Sequence, residues 1–423
     1  VREQNLDELF AEFEAQALPT FRPPGVPDAQ RRLRERQRRR RGLLAGVVTL
    51  LLAGPAGAYA VAGRNGDEVS PVPTPSPSVS PSPDDNPVQR RVALPGVAGE
   101  LRQLRFADAR HGWAFFDTCN AADSGAGGCE RALGRTTDGG ATWREVALPV
   151  GGAEPSGPAA VSLLPVDSQR LVIYFEYGYL VTTDGGASFT QHPAGNPPTT
   201  AQLALATRSG FVIRCPGDPG TPRCPRQELA RVGAGGAPTQ PPVTLSADTA
   251  RHLVEGGDGR LWLAVGDGNR LTVVVSADRA TSWRKLPAVS GANRLLVSPD
   301  GADVWLVSVN DHQSAFDVTD WNRVWRLVGD SWQEGPGLPD DTFSVAAANG
   351  GLLPVSSAYG GGGYVRDGRY TPIPELGGSA RADGSDAPTV EVLADDTIVL
   401  TGPTATFLGV GPGPIRAWTR LTP

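Results

Sequence analysis

Thr136-Thr137-Asp138-Gly139-Gly140-Ala141-Thr142-Trp143 returns almost unchanged as Thr182-Thr183-Asp184-Gly185-Gly186-Ala187-Ser188-Phe189, with Asp138 and Asp184 46 residues apart. A worn copy, Ser276-Ala277-Asp278-Arg279-Ala280-Thr281-Ser282-Trp283, follows after about two further steps, and Gly233-Ala234-Gly235-Gly236-Ala237 lies where the intervening copy falls. The pattern has a local physical reason. An Asp side chain accepts backbone N–H groups across a tight turn, glycine supplies backbone angles that other residues avoid, and the aromatic packs between strands. Periods of about 40–50 residues built on short strands signify propeller blades.

Working outward, the composition agrees. The chain has 53 Gly and 39 Pro in 423 residues. Aromatics are spread evenly and long helical periodicity is missing after the first hundred residues, so short strands joined by turns are expected. Each blade should end in an outer strand with a recurring tail: VALP from Val146, QHP from Gln191, QPP from Gln240, KLP from Lys285, GLP from Gly337, PIP from Pro372 and LTP from Leu421. These endings predict an all-β, seven-bladed propeller over 92–423, at about 47 residues per blade. An earlier VALP at Val92 predicts an N-terminal strand that closes the ring and removes an exposed sheet edge.

The repeated octapeptide resembles the Asp-box of bacterial neuraminidase repeats, S/T-x-D-x-G-x-T/S-W. Phe106–Phe116 (FADARHGWAFF) also looks like the inner hairpin of sialidase-like and photosystem II assembly-factor-like propellers. The resemblance implies that the box sits between the third and fourth strands of a blade. It also implies a structural role for Asp138, Gly140, Trp143, Asp184, Gly186, Phe189, Asp278 and Trp283. Function does not follow from it, because Asp-box propellers include hydrolases, sorting receptors and assembly factors.

Upstream of the repeats, Gly42–Gly63 is a run of 22 uncharged, mostly apolar residues, long enough to cross a hydrocarbon layer as a helix. Arg31–Arg41 (RRLRERQRRRR) stands immediately before it, whereas Asp67 and Glu68 follow Arg64. The positive-inside rule then places residues 1–41 in the cytoplasm and the remainder outside, as a single-pass plasma-membrane protein. A cleaved signal peptide is the rival reading, with Ala58-Tyr59-Ala60 as the cleavage site. Residues 64–91 form an extracytoplasmic linker in which Ser70–Pro87 is too proline-rich for a ladder or helix. In the tail, Asn5 and Glu8 read as a capping box, and Leu6, Leu9, Phe10 and Phe13 share one helical face that suits a cytoplasmic partner. The chain carries one lysine, Lys285, among 39 basic residues, the coding bias of a high-GC bacterium. Residues 1–41 carry ten arginines and seven acids, so the rest of the chain is acidic and unsuited to nucleic acid.

Four cysteines fall as two close pairs, Cys119 with Cys129 and Cys215 with Cys224, read as two local disulfides in an oxidising compartment. Both pairs lie between the expected second and third strands of a blade, as does the long insertion Val309–Asn322. Elaboration of one face makes His312, Asp320 and Trp321 candidates for a binding surface.

An enzyme is less well served. A sialidase needs three arginines for a carboxylate, a Tyr–Glu nucleophile pair and a proton donor, and the family's F/Y-R-I-P motif does not occur in the propeller. Tyr174 and Glu176, on one face of a strand, and Arg366, near Tyr370, are the weak candidates. Gly360–Gly363 lacks the Lys and Ser/Thr of a phosphate loop, and His111, His192, His252 and His312 have no metal-ligand spacing, so neither cofactor nor metal is expected. Three functions are therefore in play: a protein- or glycan-binding module at the bacterial envelope, an exo-sialidase-like glycoside hydrolase, and a transmembrane sensor signalling through its tail.

Overall fold

The computed structural model describes residues 87–423 apart from 98, 118–130, 150–160, 176–177, 217–224, 234–236, 247–250, 268–269, 310–321, 358–360 and 374–387. Its strands are short and mostly follow runs of apolar residues. Gly112–Asp117 (GWAFFD) and Val304–Val307 (VWLV) are buried at every position, as expected of strands covered on both faces by neighbouring sheets.

Seven sheets form among the described residues. After β1 (Val88–Arg91), the first sheet comprises β2 (Glu100–Phe106), β3 (Gly112–Asp117), β4 (Arg131–Thr136) and β5 (Arg144–Val146) in antiparallel chain order. The second repeats this order with β6 (Val161–Pro165), β7 (Leu171–Phe175), β8 (Gly178–Thr182) and β9 (Thr190–Pro193). The third holds only β10 (Phe211–Arg214) and β11 (Glu228–Arg231). The fourth is β12 (Arg251–Glu255), β13 (Leu261–Asp267), β14 (Arg270–Ser276) and β15 (Arg284–Lys285), with β16 (Val289–Ser290) beside β14. The fifth is β17 (Arg294–Val297), β18 (Val304–Val307), β19 (Val324–Val328) and β20 (Ser331–Gly335). The sixth is β21 (Thr342–Val345), β22 (Leu353–Ser357), β23 (Gly362–Arg366) and β24 (Arg369–Pro372).

The seventh sheet closes the molecule. It runs β25 (Thr389–Val392), β26 (Ile398–Thr401), β27 (Thr406–Val410) and β28 (Ala417–Thr422), and β1 adds outside β28 as a parallel strand with Val88 opposite Thr419 and Arg91 opposite Thr422. The extra N-terminal strand is therefore present, but it begins at Val88, inside the stretch assigned to the linker. β1 is an edge strand with largely exposed side chains, so it carries no apolar alternation to betray it.

Cores lie between consecutive sheets. Trp113, Phe115 and Leu133 pack against Leu163, Leu171 and Ile173; Trp262 and Val275 against Leu295 and Leu306; Trp305 and Val307 against Val345 and Leu353. Tyr364 meets Leu400 and Phe407, and Leu408 with Leu421 meets Phe106 and Trp143, which joins the last sheet to the first. This is propeller packing.

The third sheet departs from the pattern. Where the other sheets place a first strand, a short helix α1 (Thr199–Ala204) packs Ala201 against Val172 and Val181 of the second sheet. On the other side, the Gln240 side chain accepts from Leu229 N–H and donates to Leu229 C=O, standing in for a neighbouring strand's backbone. No helix among the described residues is long and apolar enough to cross a membrane; the expected span Gly42–Gly63 lies outside them.

Candidate functional site

All three boxes occupy the turn between third and fourth strands. In the first, Asp138 accepts from the Thr142 N–H (2.9 Å) and from the hydroxyls of Thr142 (2.6 Å) and Thr136 (2.8 Å), while Gly140 N–H donates to Thr136 Oγ1 (2.9 Å). Asp184 and Asp278 make the corresponding bonds to Ser188 and Thr182 and to Ser282 and Ser276. Burial works against the Asp138 carboxylate, but the Thr142, Thr136 and Ala141 hydrogen bonds outweigh it and hold its pKa at about 2. Asp184, led by the Ser188 hydroxyl, and Asp278, led by that of Ser282, are also brought to about 2. Each of the three carboxylates is thus spent on hydrogen bonds within its own turn.

Arginines tie two of these turns to the preceding sheet. Arg90 donates to the carbonyls of Asp138 (3.2 Å) and Gly139 (2.8 Å). Arg135 crosses over Trp113, 5.3 Å from its ring centroid, and donates to Gly185 C=O and Ser168 C=O, both at 2.8 Å.

The first-to-second-strand turns of the second, fifth and seventh sheets line a central cavity of about 870 Å³, together with the end of β12 and with Leu203, Ala204 and Ala206–Gly210. Aspartates shape turns of this kind: Asp108 accepts from Arg110 and His111 N–H, and Asp167 from Gln169 and Arg170 N–H. Neighbouring turns are stitched together, Ala109 N–H to Asp395, Asp300 N–H to Asn349 and Asn349 N–H to Asp396. Within the cavity wall, burial raises the Asp167 pKa less than the Gln169 and Arg170 hydrogen bonds lower it, and its second oxygen takes Arg170 Nε at 2.7 Å. Glu255 accepts both the N–H (2.6 Å) and the hydroxyl of Ser209. Arg231 donates to Ser209 C=O (3.3 Å) and lies over Phe211, whereas Arg208 is exposed at the mouth.

Of the residues proposed from sequence as catalytic, Tyr174 and Arg366 do not line this cavity. Tyr174 is exposed on β7 against Tyr179, their rings 5.1 Å apart, and Arg366 ends β23 on the sixth sheet, 4.0 Å from Asp367. Glu176, His312, Asp320 and Trp321 lie outside the described residues, as do Cys119, Cys129 and Cys224. Cys215 is buried directly after β10 and is not a free thiol. Three histidines have local partners: His111 with Asp108, His192 with Thr190 and His252 with Asn293 C=O. No cluster of His, Cys, Asp and Glu fit for a metal occurs among the described residues. Arg208, Ser209, Arg231 and Glu255 were missed, because Thr207–Gly210 reads as a featureless loop until the missing first strand is known.

No family model matches this chain. No curated protein matches it either. The matched solved structures are β-propeller proteins. YCF48 bound to D1 peptide is 16% identical over 78% of this chain and 82% of its own, with a TM-score of 0.28. The Pan2 WD40 domain of Neurospora crassa is 11% identical over 72% of this chain and 86% of its own, with a TM-score of 0.38. The GH74 xyloglucanase from Xanthomonas campestris is 18% identical over 73% and 52%, with a TM-score of 0.33. Likeness this distant bears on fold alone, and the propeller assignment rests on the sheets and cores described above.

Proposed function

We propose that this chain is a membrane-anchored, extracytoplasmic Asp-box propeller that binds a protein or glycan at the bacterial cell envelope. The observation that carries the binding reading is the central cavity, whose carboxylates Asp167 and Glu255 are both held by neighbouring groups. Glycoside hydrolysis needs an acid and a nucleophile converging on one bond. Tyr174 and Arg366 sit on different sheets, and neither lines the cavity. Anchoring is supported by Gly42–Gly63 and the arginines before it. An outside location also suits four cysteines spaced as Cys119–Cys129 and Cys215–Cys224 disulfides.

The test is a fluorogenic sialoside and glycoside panel on the full chain in detergent micelles, run beside capture of envelope protein and glycan fractions. Binding without turnover is expected. Turnover abolished by Tyr174→Phe would replace this reading with the hydrolase.

A further inference from the structure

The wall of the central cavity is chemically mixed. Val166, Leu203, Val254, Val297 and Leu393 are half-buried aliphatic side chains that line it, and the turn backbone of Ala206–Ser209 runs between them. No Phe, Tyr, Trp or His occurs among the described lining residues, so a sugar ring would find no aromatic face to stack on. The side chains that could match sugar hydroxyls are already engaged. Asp167 accepts from Gln169 and Arg170, Thr207 Oγ1 accepts from the Phe211 N–H (3.1 Å), and Ser298 Oγ donates to Asp300 (2.6 Å). Ser209 and Glu255 are bonded to each other.

The charges leave a remainder of one sign. Three guanidiniums, those of Arg170, Arg208 and Arg231, share the wall with two carboxylates, those of Asp167 and Glu255, for a net charge of +1. Arg170 is paired with Asp167 at 2.7 Å. Arg231 and Glu255 both hold Ser209, the first at its carbonyl and the second at its N–H and hydroxyl, so their charges offset each other. Arg208 is left over, exposed at the mouth and in no hydrogen bond or ion pair among the described residues. Apolar surface also continues outside the mouth: Leu205, between the lining residues Ala204 and Ala206, is 71% exposed.

We infer that the cavity takes the tip of a protein partner, a short segment with aliphatic side chains beside a single carboxylate that meets Arg208. This rests on the binding reading above and selects protein over glycan. A peptide carries the same mixture as the wall: amides for the turn backbone, aliphatic groups for the half-buried side chains, and a charge opposite to that of Arg208. At about 870 Å³ the cavity has the size of sites that enclose a drug-sized ligand, so a few residues enter and the rest of the partner stays outside, against Leu205.

The probe is an acetylated, amidated Val-Leu-Glu-Val peptide, titrated by calorimetry into the full chain in phosphatidylcholine nanodiscs, with empty nanodiscs as blank and chitotetraose as the glycan comparison. The peptide should bind with a Kd of about 1 mM or tighter, and chitotetraose should not bind. Glutamine in place of the glutamate should weaken binding roughly three- to tenfold, and Arg208→Ala should remove the difference between the two peptides. Serine in place of the leucine should weaken binding at least about tenfold. Ala394→Trp, at an exposed lining position, should fill the cavity and abolish binding with the urea midpoint unchanged. The inference is overturned if no peptide binds at about 1 mM, if peptide binding survives Ala394→Trp, if Arg208→Ala keeps the full preference for glutamate, or if chitotetraose binds and Ala394→Trp blocks it. Capture of an envelope protein or glycan alongside any of these failures leaves the binding reading standing, whereas glycoside turnover removes that reading itself.

Discussion

The turns at Asp138 and Asp184 carry glycine at both left-handed positions, with φ of 70° and 85° at Gly139 and Gly140 and 72° and 90° at Gly185 and Gly186. The turn at Asp278 holds Arg279 and Ala280 at 55° and 61°. The carboxylate bonds are nevertheless the same in all three. The second glycine is therefore demanded by the neighbouring sheet more than by the turn. A Cβ at Gly140 would stand 2.7 Å from Leu421 Cδ2, and one at Gly186 2.5 Å from Val146 Cγ1, both on fourth strands of preceding sheets. Ala280 follows the third sheet, whose fourth strand is irregular, and its methyl is buried beside Phe211, Leu229 and Leu261.

The largest expected break is Gly186→Ala. It combines a left-handed backbone with overpacking against a stiff β-branched side chain, for about 2–3 kcal/mol by urea unfolding. Gly140→Ala should cost less, because the leucine it meets can change rotamer. Equal losses at both positions would mean that the backbone, not the neighbour, sets the requirement. Arg135→Ala comes next at about 1–2 kcal/mol, since it uncovers Trp113 and leaves two carbonyls of the second sheet without a donor. An unchanged urea midpoint would show that this inter-sheet tie contributes nothing.

What the sequence disclosed follows the same division. Asp138, Asp184 and Asp278 were legible because a turn closed by its own side chain is written in consecutive residues. The tails such as KLP at Lys285 marked sheet ends for a similar reason. The N-terminal strand was signalled by VALP at Val92, but its residues Val88–Arg91 fell inside the assigned linker because an exposed parallel edge strand leaves no periodicity. The third sheet was opaque: α1 replaces a strand through packing on Val172 and Val181, and Gln240 replaces a backbone with an amide, neither of which has a periodic signature. The cavity groups Arg208, Arg231 and Glu255 meet only through that irregularity. Tyr174 lies outside the cavity lining, since a shared strand face says nothing about which side reaches the cavity.

Acid tests whether the three turns are electrostatically equivalent. A folded-state pKa of about 2 lies below the value near 4 of an unfolded aspartate, so each carboxylate contributes stability above about pH 4 that is lost as pH falls toward 2. Thermal unfolding between pH 5 and 2 should steepen in the parent chain and flatten in Asp138→Asn. The same flattening is expected for Asp278→Asn; its absence would show that the worn turn no longer holds its carboxylate.

The smallest effect has the opposite sign. Arg279 is exposed and sits at a φ that costs an L-residue about 1 kcal/mol, and its side chain belongs to none of the turn's hydrogen bonds. Arg279→Gly should therefore stabilise the chain by about 0.5 kcal/mol, the relief being offset partly by the extra freedom glycine brings to the unfolded state. Ala280→Gly should come out close to neutral, because the same relief is set against loss of a fully buried methyl worth about 0.8 kcal/mol. The two variants together separate backbone from packing in one turn. If Ala280→Gly stabilises as much as Arg279→Gly, the methyl contributes nothing to the junction with the third sheet, and the neighbour-driven account of these glycines fails at the site where it was most exposed to test.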